Sequence, residues 1–196
     1  MNKVYLDNAA TTAVSPEVLE AMLPYFTQIF GNASSIHSTG RDAHRAVDTA
    51  RKQVADAIGA EPREVYFSAG GSESDNWAIR LGCEAMSKKG KHIITSAIEH
   101  HAVLHTLKRL EKEGYEVIRI SPGSDGEFSV DDFTEAVDEN TCLISVMLVN
   151  NETGSILPVK KIFSMAKMKN SEIITHCDAV QAFMKIPVKP PDLKAD

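Results

Sequence analysis

Apolar positions along this chain fall into blocks of two kinds, and the two kinds take turns. From Arg41 to Ile58 the residues Ala43, Ala46, Val47, Ala50, Val54, Ala57 and Ile58 recur at steps of three and four, with Asp48, Arg51, Lys52 and Asp56 between them. That spacing predicts a long helix with one solvated face, stopped by Gly59. Similar periods predict helices from about Ser72 to Lys88, carrying Trp77, Ala78, Leu81, Ala85 and Met86, and from Ala102 to Lys112, with Val103, Leu107 and Leu110 on one face. Ser15-Pro16-Glu17 opens a helix with the stripe Val18, Met22, Tyr25 and Phe26; Ser129 with Asp132 reads as a capping box; Pro158 opens a helix with Ile162, Phe163 and Ala166.

Between these lie short apolar runs: Val65–Phe67, His92–Thr95, Glu116–Ile120, Cys142–Val149 and Ile173–Cys177. Each predicts a strand, and the nearly continuous run Cys142–Val149 predicts a central one covered on both faces. Strand and helix in alternation predict an α/β fold: a mostly parallel sheet with helices on both faces. Two segments stand outside this pattern. Val4–Leu6 leads into the small polar run Asp7–Thr12, an N-terminal arm with a turn, and 31–40 is a loop too rich in small and polar residues to pack.

The 196 residues, 43% hydrophobic, suffice for one good-sized core or most of a large α/β domain. A formal charge of −6, with no basic block longer than Lys88-Lys89 plus Lys91, argues against nucleic acid or an anionic membrane as partner. The start Met-Asn-Lys-Val-Tyr-Leu-Asp has no apolar signal region, and the longest nearly apolar run, 143–149, is too short to span a bilayer, so a cytoplasmic location is expected. Three scattered cysteines, Cys83, Cys142 and Cys177, form neither a metal spacing nor a disulfide framework, which suits a reducing compartment.

In a parallel sheet ligands bind beyond the carboxyl ends of strands. The residues there are the turn Ser68–Asn76, Glu99-His100-His101, Asn150-Asn151-Glu152, and Asp178 with Gln181. The turn brings Gly70, Gly71 and Ser72 to the start of a helix, where unpaired amides and the positive end of the dipole favour an anion; Ser72 is read as N-cap and phosphate ligand, with Asp75 as capping-box partner. Singly, each residue has a plainer reading: Gly-Gly-Ser as a capped helix, His100 or His101 as decoration of a helix start, Asn150–Gly154 as a turn, Asp178 as a cap. His101 and His105 have a metal-compatible spacing, but no third ligand is evident and no metal is assigned. Together the set matches the needs of pyridoxal phosphate: a helix N-terminus for the phosphate, a buried carboxylate for the pyridine nitrogen, a flat neighbour for the ring and amide donors for the phenolic oxygen. Ser72, Asp178, His100, and Asn151 with Gln181 supply these in that order.

Six stretches, Tyr5–Thr12, Gly31–His37, Gly71–Asn76, Glu99–Val103, Val149–Gly154 and His176–Gln181, resemble in order the motif series of the cysteine desulfurases, in the class V aminotransferase group of fold-type I pyridoxal phosphate enzymes. The resemblance covers the whole chain, and its mild departures are at Ala33, Cys177, Val180 and Ala182. It implies that Gly71 and Ser72 bind the phosphate, His100 stacks on the ring and assists proton transfer, Asn151 and Gln181 bond the phenolic oxygen side, and Asp178 pairs the pyridine nitrogen. It implies conversion of L-cysteine to L-alanine with sulfur passed to an enzyme cysteine as a persulfide, for iron–sulfur assembly and thiolation, and a homodimer for the complete enzyme. It also implies a sulfur-acceptor or scaffold protein as partner.

The resemblance further implies a Schiff-base lysine in a Ser/Gly-His-Lys motif beyond the position of Asp196, and a sulfur-accepting cysteine in a small C-terminal domain. Lys185, Lys189 and Lys194 stand outside any such motif. The chain is therefore expected to be an N-terminal arm plus a partial, truncated large domain, inactive alone and completed by a C-terminal portion. The alternatives are a non-catalytic assembly module or half of a split enzyme, and, among enzymes, a selenocysteine lyase or another class V lyase or aminotransferase.

Overall fold

The computed structural model describes residues 4–196, which fall into two compact units, one ending at Tyr66 and the other Phe67–Asp196. In the first, Ser15 Oγ accepts the Val18 amide at 3.3 Å and caps α1 (Pro16–Met22), with α2 (Pro24–Thr27) directly after it. The expected stripe forms but is not buried: Val18 is 51% exposed and Phe26 69%. Helix α3 (Ser38–Ile58) starts inside the stretch expected to be loop, because His37 Nδ1 accepts the Gly40 amide at 3.3 Å and caps it. Gly40 itself is buried, and a Cβ there would stand 2.3 Å from the Ser35 carbonyl oxygen, so the loop folds back as it does only around glycine. Gly59, with φ of 69°, ends the helix in the left-handed conformation.

A 3₁₀ turn (Pro62–Glu64) follows, and the Arg51 guanidinium donates to the Val65 carbonyl. The expected strand Val65–Phe67 does not form. Val65 is extended and buried, Tyr66 and Phe67 are exposed, and the four strands of the sheet do not include these three residues. Three residues make a ladder only where a neighbouring strand is aligned to share it.

The second unit runs α4 (Gly71–Ala85), β1 (His92–Ser96), α5 (His101–Lys112), β2 (Glu116–Ile120), α6 (Val130–Ala136), β3 (Thr141–Ser145), α7 (Val159–Lys169), β4 (Ile174–His176) and α8 (Pro190–Leu193). Its four strands lie in the order β2-β1-β3-β4, every pairing parallel. Side chains of successive strand residues leave on opposite faces, so Ile93 and Leu143 pack with Ile79, Cys83, Val103, Leu107 and Leu110 of α4 and α5. Ile94 and Ile144 pack on the other face with Phe133, Ile162 and Phe163 of α6 and α7. Each fully buried Ile, Leu or Phe contributes roughly 2–3 kcal/mol, which fixes the register.

Two irregularities mark the sheet, one at the start of its strands and one at the end where the polar residues gather. Cys142 is an extra residue opposite β1, since His92 pairs with Thr141 and Ile93 with Leu143. Beyond Ser145 the chain remains tied to β4: the Val146 amide donates to the His176 carbonyl at 3.0 Å and the Leu148 amide to the Asp178 carbonyl at 2.9 Å. These bonds hold the chain after β3 beside the chain after β4.

Candidate cofactor site

The start of α4 differs in detail from its expected cap. Gly70 occupies the cap position and Ser72 lies within the first turn. The turn is held instead by Ser68, whose Oγ is 2.7 Å from Ser74 Oγ and donates to the Gly70 carbonyl at 3.1 Å, and by Glu73, whose Oε2 accepts the Ala69 amide at 2.7 Å. The Ser72 hydroxyl therefore has no capping duty, and the Gly71 and Ser72 amides have no intrahelical acceptor. A Cβ at Gly71 would stand 3.0 Å from Val180 Cγ2, whereas one at Gly70 would meet nothing within 4 Å. Glycine at 71 thus lets the helix start approach the turn after β4.

One cavity of about 170 Å³ opens at this point, lined by Gly71, Ser72, His100, Asn151, Asp178 and Gln181, together with Asp75, Met147 and Val180. All six residues given cofactor roles from the sequence border it, whereas Glu99, His101, Asn150 and Glu152 line an adjoining hollow. His100 caps α5 by accepting the Ala102 amide on Nδ1 at 3.1 Å. With Nδ1 an acceptor, the neutral ring carries its proton on Nε2, the nitrogen not used by the helix. Asn151 follows a buried asparagine that builds its loop. Asn150 donates to the Ile98 carbonyl at 2.9 Å, and its Oδ1 accepts the Glu152 and Thr153 amides at 2.9 Å each.

The electrostatics of the cavity are set by buried carboxylates. Asp178 is 6% exposed; its Oδ1 accepts the Val180 amide at 2.9 Å, and burial, reinforced by the Asp75 carboxylate, holds its pKa above the usual range. Such a group gains from a cation placed against it. Asp75 is also buried and faces His176, whose Nε2 is 3.5 Å from Asp75 Oδ1 while Nδ1 is 2.8 Å from Ser145 Oγ. Burial, helped by Glu99 and Asp178, pushes the Cys177 thiol up to about 12. Among the described residues no group of three His, Cys, Asp or Glu side chains has the arrangement to hold a metal ion.

Asp75, Met147 and Val180 were not foreseen as lining residues, although Asp75 has a legible signal: it lies one helical turn beyond Gly71 and Ser72, hence on the same face. As a donor set the cavity suits a flat, phosphorylated, basic heterocycle. It offers backbone amides without intrahelical acceptors and a hydroxyl suited to an anion, a buried carboxylate suited to a ring nitrogen, an imidazole, and side-chain amides.

The model of the family described as aminotransferase class-V matches residues 4–196. A cysteine desulfurase IscS of Methanosarcina thermophila is 51% identical over 193 residues, covering 98% of this chain and 47% of that protein. A solved NifS-like protein superposes with a TM-score of 0.96 at 39% identity, covering 100% of this chain and 53% of its own. A structure described as SspA in complex with cysteine superposes with a TM-score of 0.91 at 39% identity, covering 98% of this chain and 55% of its own. The chain spans about half the length of the curated relatives it matches.

Proposed function

Because the chain belongs to the class-V aminotransferase family, we propose that it is the N-terminal arm and cofactor-binding part of a pyridoxal phosphate-dependent cysteine desulfurase. The observation that carries this reading is the meeting of the Gly71–Ser72 helix start, His100, Asn151, Asp178 and Gln181 around one cavity. Gly71 and Ser72 bind the phosphate, Asp178 holds a proton on the pyridine nitrogen, and Asn151 and Gln181 donate to the phenolic oxygen side. His100 would stack on the ring, and its Nε2, left free by the helix cap at Nδ1, would hold or move a proton. When bound, the cofactor supplies an electron sink that draws charge from the substrate's α-carbon.

In the complete enzyme the reaction is L-cysteine to L-alanine, with sulfur leaving on an enzyme cysteine for iron–sulfur assembly and thiolation. The enzyme is a cytoplasmic homodimer that passes sulfur to an acceptor or scaffold protein. Among the described residues no lysine lines the cavity, and Cys83, Cys142 and Cys177 are buried or half-buried. These residues therefore bind but do not by themselves turn substrate over, and a C-terminal portion supplies the lysine and the acceptor thiol.

Titration of the 196-residue protein with pyridoxal phosphate, followed by the ring's absorbance, tests the reading. Saturable one-to-one binding is expected, weakened in Ser72→Ala, with no borohydride-fixed adduct on a residue of the cavity and no alanine formed from cysteine. Absence of saturable binding, or steady turnover, would overturn it.

A further inference from the structure

A buried group beside the cavity has no part in the reading above. Glu99, 4% exposed, directly precedes His100, and its Oε1 accepts both the Ser96 hydroxyl at 2.5 Å and the Met147 amide at 2.9 Å. Its Oε2 is buried with no hydrogen-bond partner among the described residues. One carboxyl oxygen thus joins Ser96, at the end of β1, and the turn after it to Met147 in the chain after β3, and both Met147 and His100, next in sequence to Glu99, border the cavity. A second tie runs parallel to it, from Asn150 to the Ile98 carbonyl at 2.9 Å. A second hollow, lined in part by Glu99, His100, Asn150 and Asn151, adjoins the first and shares His100 and Asn151 with it.

We propose that Glu99 is a positioning residue of the cofactor cavity: a neutral carboxylic acid that clips the His100 turn to Met147 and so sets where the imidazole stands. The proposal rests on the cofactor reading for what His100 does, but not for the state of Glu99. An anion with one oxygen denied any donor in a dry site is disfavoured, and a proton on Oε2 removes the difficulty while leaving Oε1 free to accept its two bonds. The neighbours act in the same sense. Asp75 from α4 and Asp178 from the turn after β4 both oppose a negative charge at Glu99, and Cys177 at the end of β4 is in turn opposed by Glu99. With burial as the main cause, the Glu99 carboxyl is pushed up to about 8. A neutral Glu99 also leaves Asp178 as the carboxylate best placed to answer a ring cation.

The test compares wild type, Glu99→Gln and Glu99→Ala by thermal unfolding between about pH 6 and about pH 9 without cofactor, and by pyridoxal phosphate affinity over the same range. Glutamine keeps one acceptor and places a donor where the acid proton stands. Its midpoint should stay flat as the wild type's falls, and its affinity at neutral pH should lie within about threefold of wild type while alanine loses about tenfold. Toward the alkaline end wild type should weaken relative to glutamine. Parallel pH profiles for wild type and glutamine, or a glutamine variant as weak as alanine at neutral pH, would overturn the proposal. If none of the three binds the cofactor, the cofactor reading fails by itself. The unfolding series then decides alone: a glutamine profile flatter than wild type upholds the neutral clip, and coincident profiles remove it.

Discussion

Asp75 Oδ1 and His176 Nε2 stand 3.5 Å apart, with side chains 7% and 11% exposed, and join the first turns of α4 to the end of β4. The other ring nitrogen reaches Ser145 on β3, so one imidazole links α4, β3 and β4. Asp75 is thereby excused from capping its own helix and made part of the floor beneath Gly71 and Ser72.

Breaking this link should cost more than a surface pair would. His176→Ala leaves the buried Asp75 without its imidazole partner and is expected to lower unfolding free energy by about 2 kcal/mol, with His176→Gln, which can still bond Ser145, losing less. Urea unfolding at constant m-value measures it, and a loss under about 0.5 kcal/mol for alanine would show that the pair carries no stability.

The approach of Gly71 to Val180 makes a second, two-residue prediction. Gly71→Ala puts a methyl 3.0 Å from Val180 Cγ2, and the helix start must retreat from the turn after β4. Because alanine is the better helix former, global stability should change by less than about 1 kcal/mol, while pyridoxal phosphate affinity falls by about tenfold. Val180 is exposed, so Val180→Ala alone should be mild and should recover much of the loss when combined with Gly71→Ala. Strictly additive effects would mean that the two side chains do not meet.

Much of the fold is legible in the sequence because the sheet buries both faces, which forces near-continuous apolar runs such as Leu143–Leu148, and because helix starts announce themselves at Ser15 and Ser129. The buried face of α4 is less legible. It consists of Asp75, Ile79, Gly82 and Cys83, followed by Met86, so an acid and a glycine interrupt the stripe, while the apolar Trp77 and Leu81 are more than half exposed. The strand expected at Val65–Phe67 misleads for the opposite reason: a short apolar run is there, but a run alone does not make a strand of the sheet. Candidate site residues were legible because each stands just past an apolar run. Their second layer, Asp75 with His176 and Glu99 with Met147, depends on contacts between distant segments that no local pattern encodes.

The thiols give a chemical check. Burial holds the Cys177 pKa at about 12, and Cys83, in contact with Cys142, is pushed up by that interaction and by its burial. Thiolate is the reacting form, and Cys142, whose pKa the same contact with Cys83 lowers, is fully buried away from reagent, so none of the three cysteines should react quickly with an alkylating reagent in native protein at neutral pH, and all three should do so after denaturation. One fast native thiol, located by peptide mapping, would contradict the assignment of the sulfur-accepting role to a residue outside these three.

Asp178 should separate stability from binding. Its pKa in the folded protein is raised by burial, so between its unfolded and folded values the native state holds the extra proton. Stability therefore falls as pH rises through that window, and above it the full cost of a buried charge is present. Asp178→Asn removes the charge and can keep the bond from the Val180 amide, so cofactor-free protein at neutral pH should become more stable and its stability less dependent on pH. The same substitution removes the anion proposed to answer the pyridine nitrogen, so pyridoxal phosphate affinity should fall by about tenfold or more. Thermal midpoints against pH, paired with cofactor titrations, test both signs. A variant losing stability and affinity together would show Asp178 to be a structural group, with its burial serving the fold rather than the ligand.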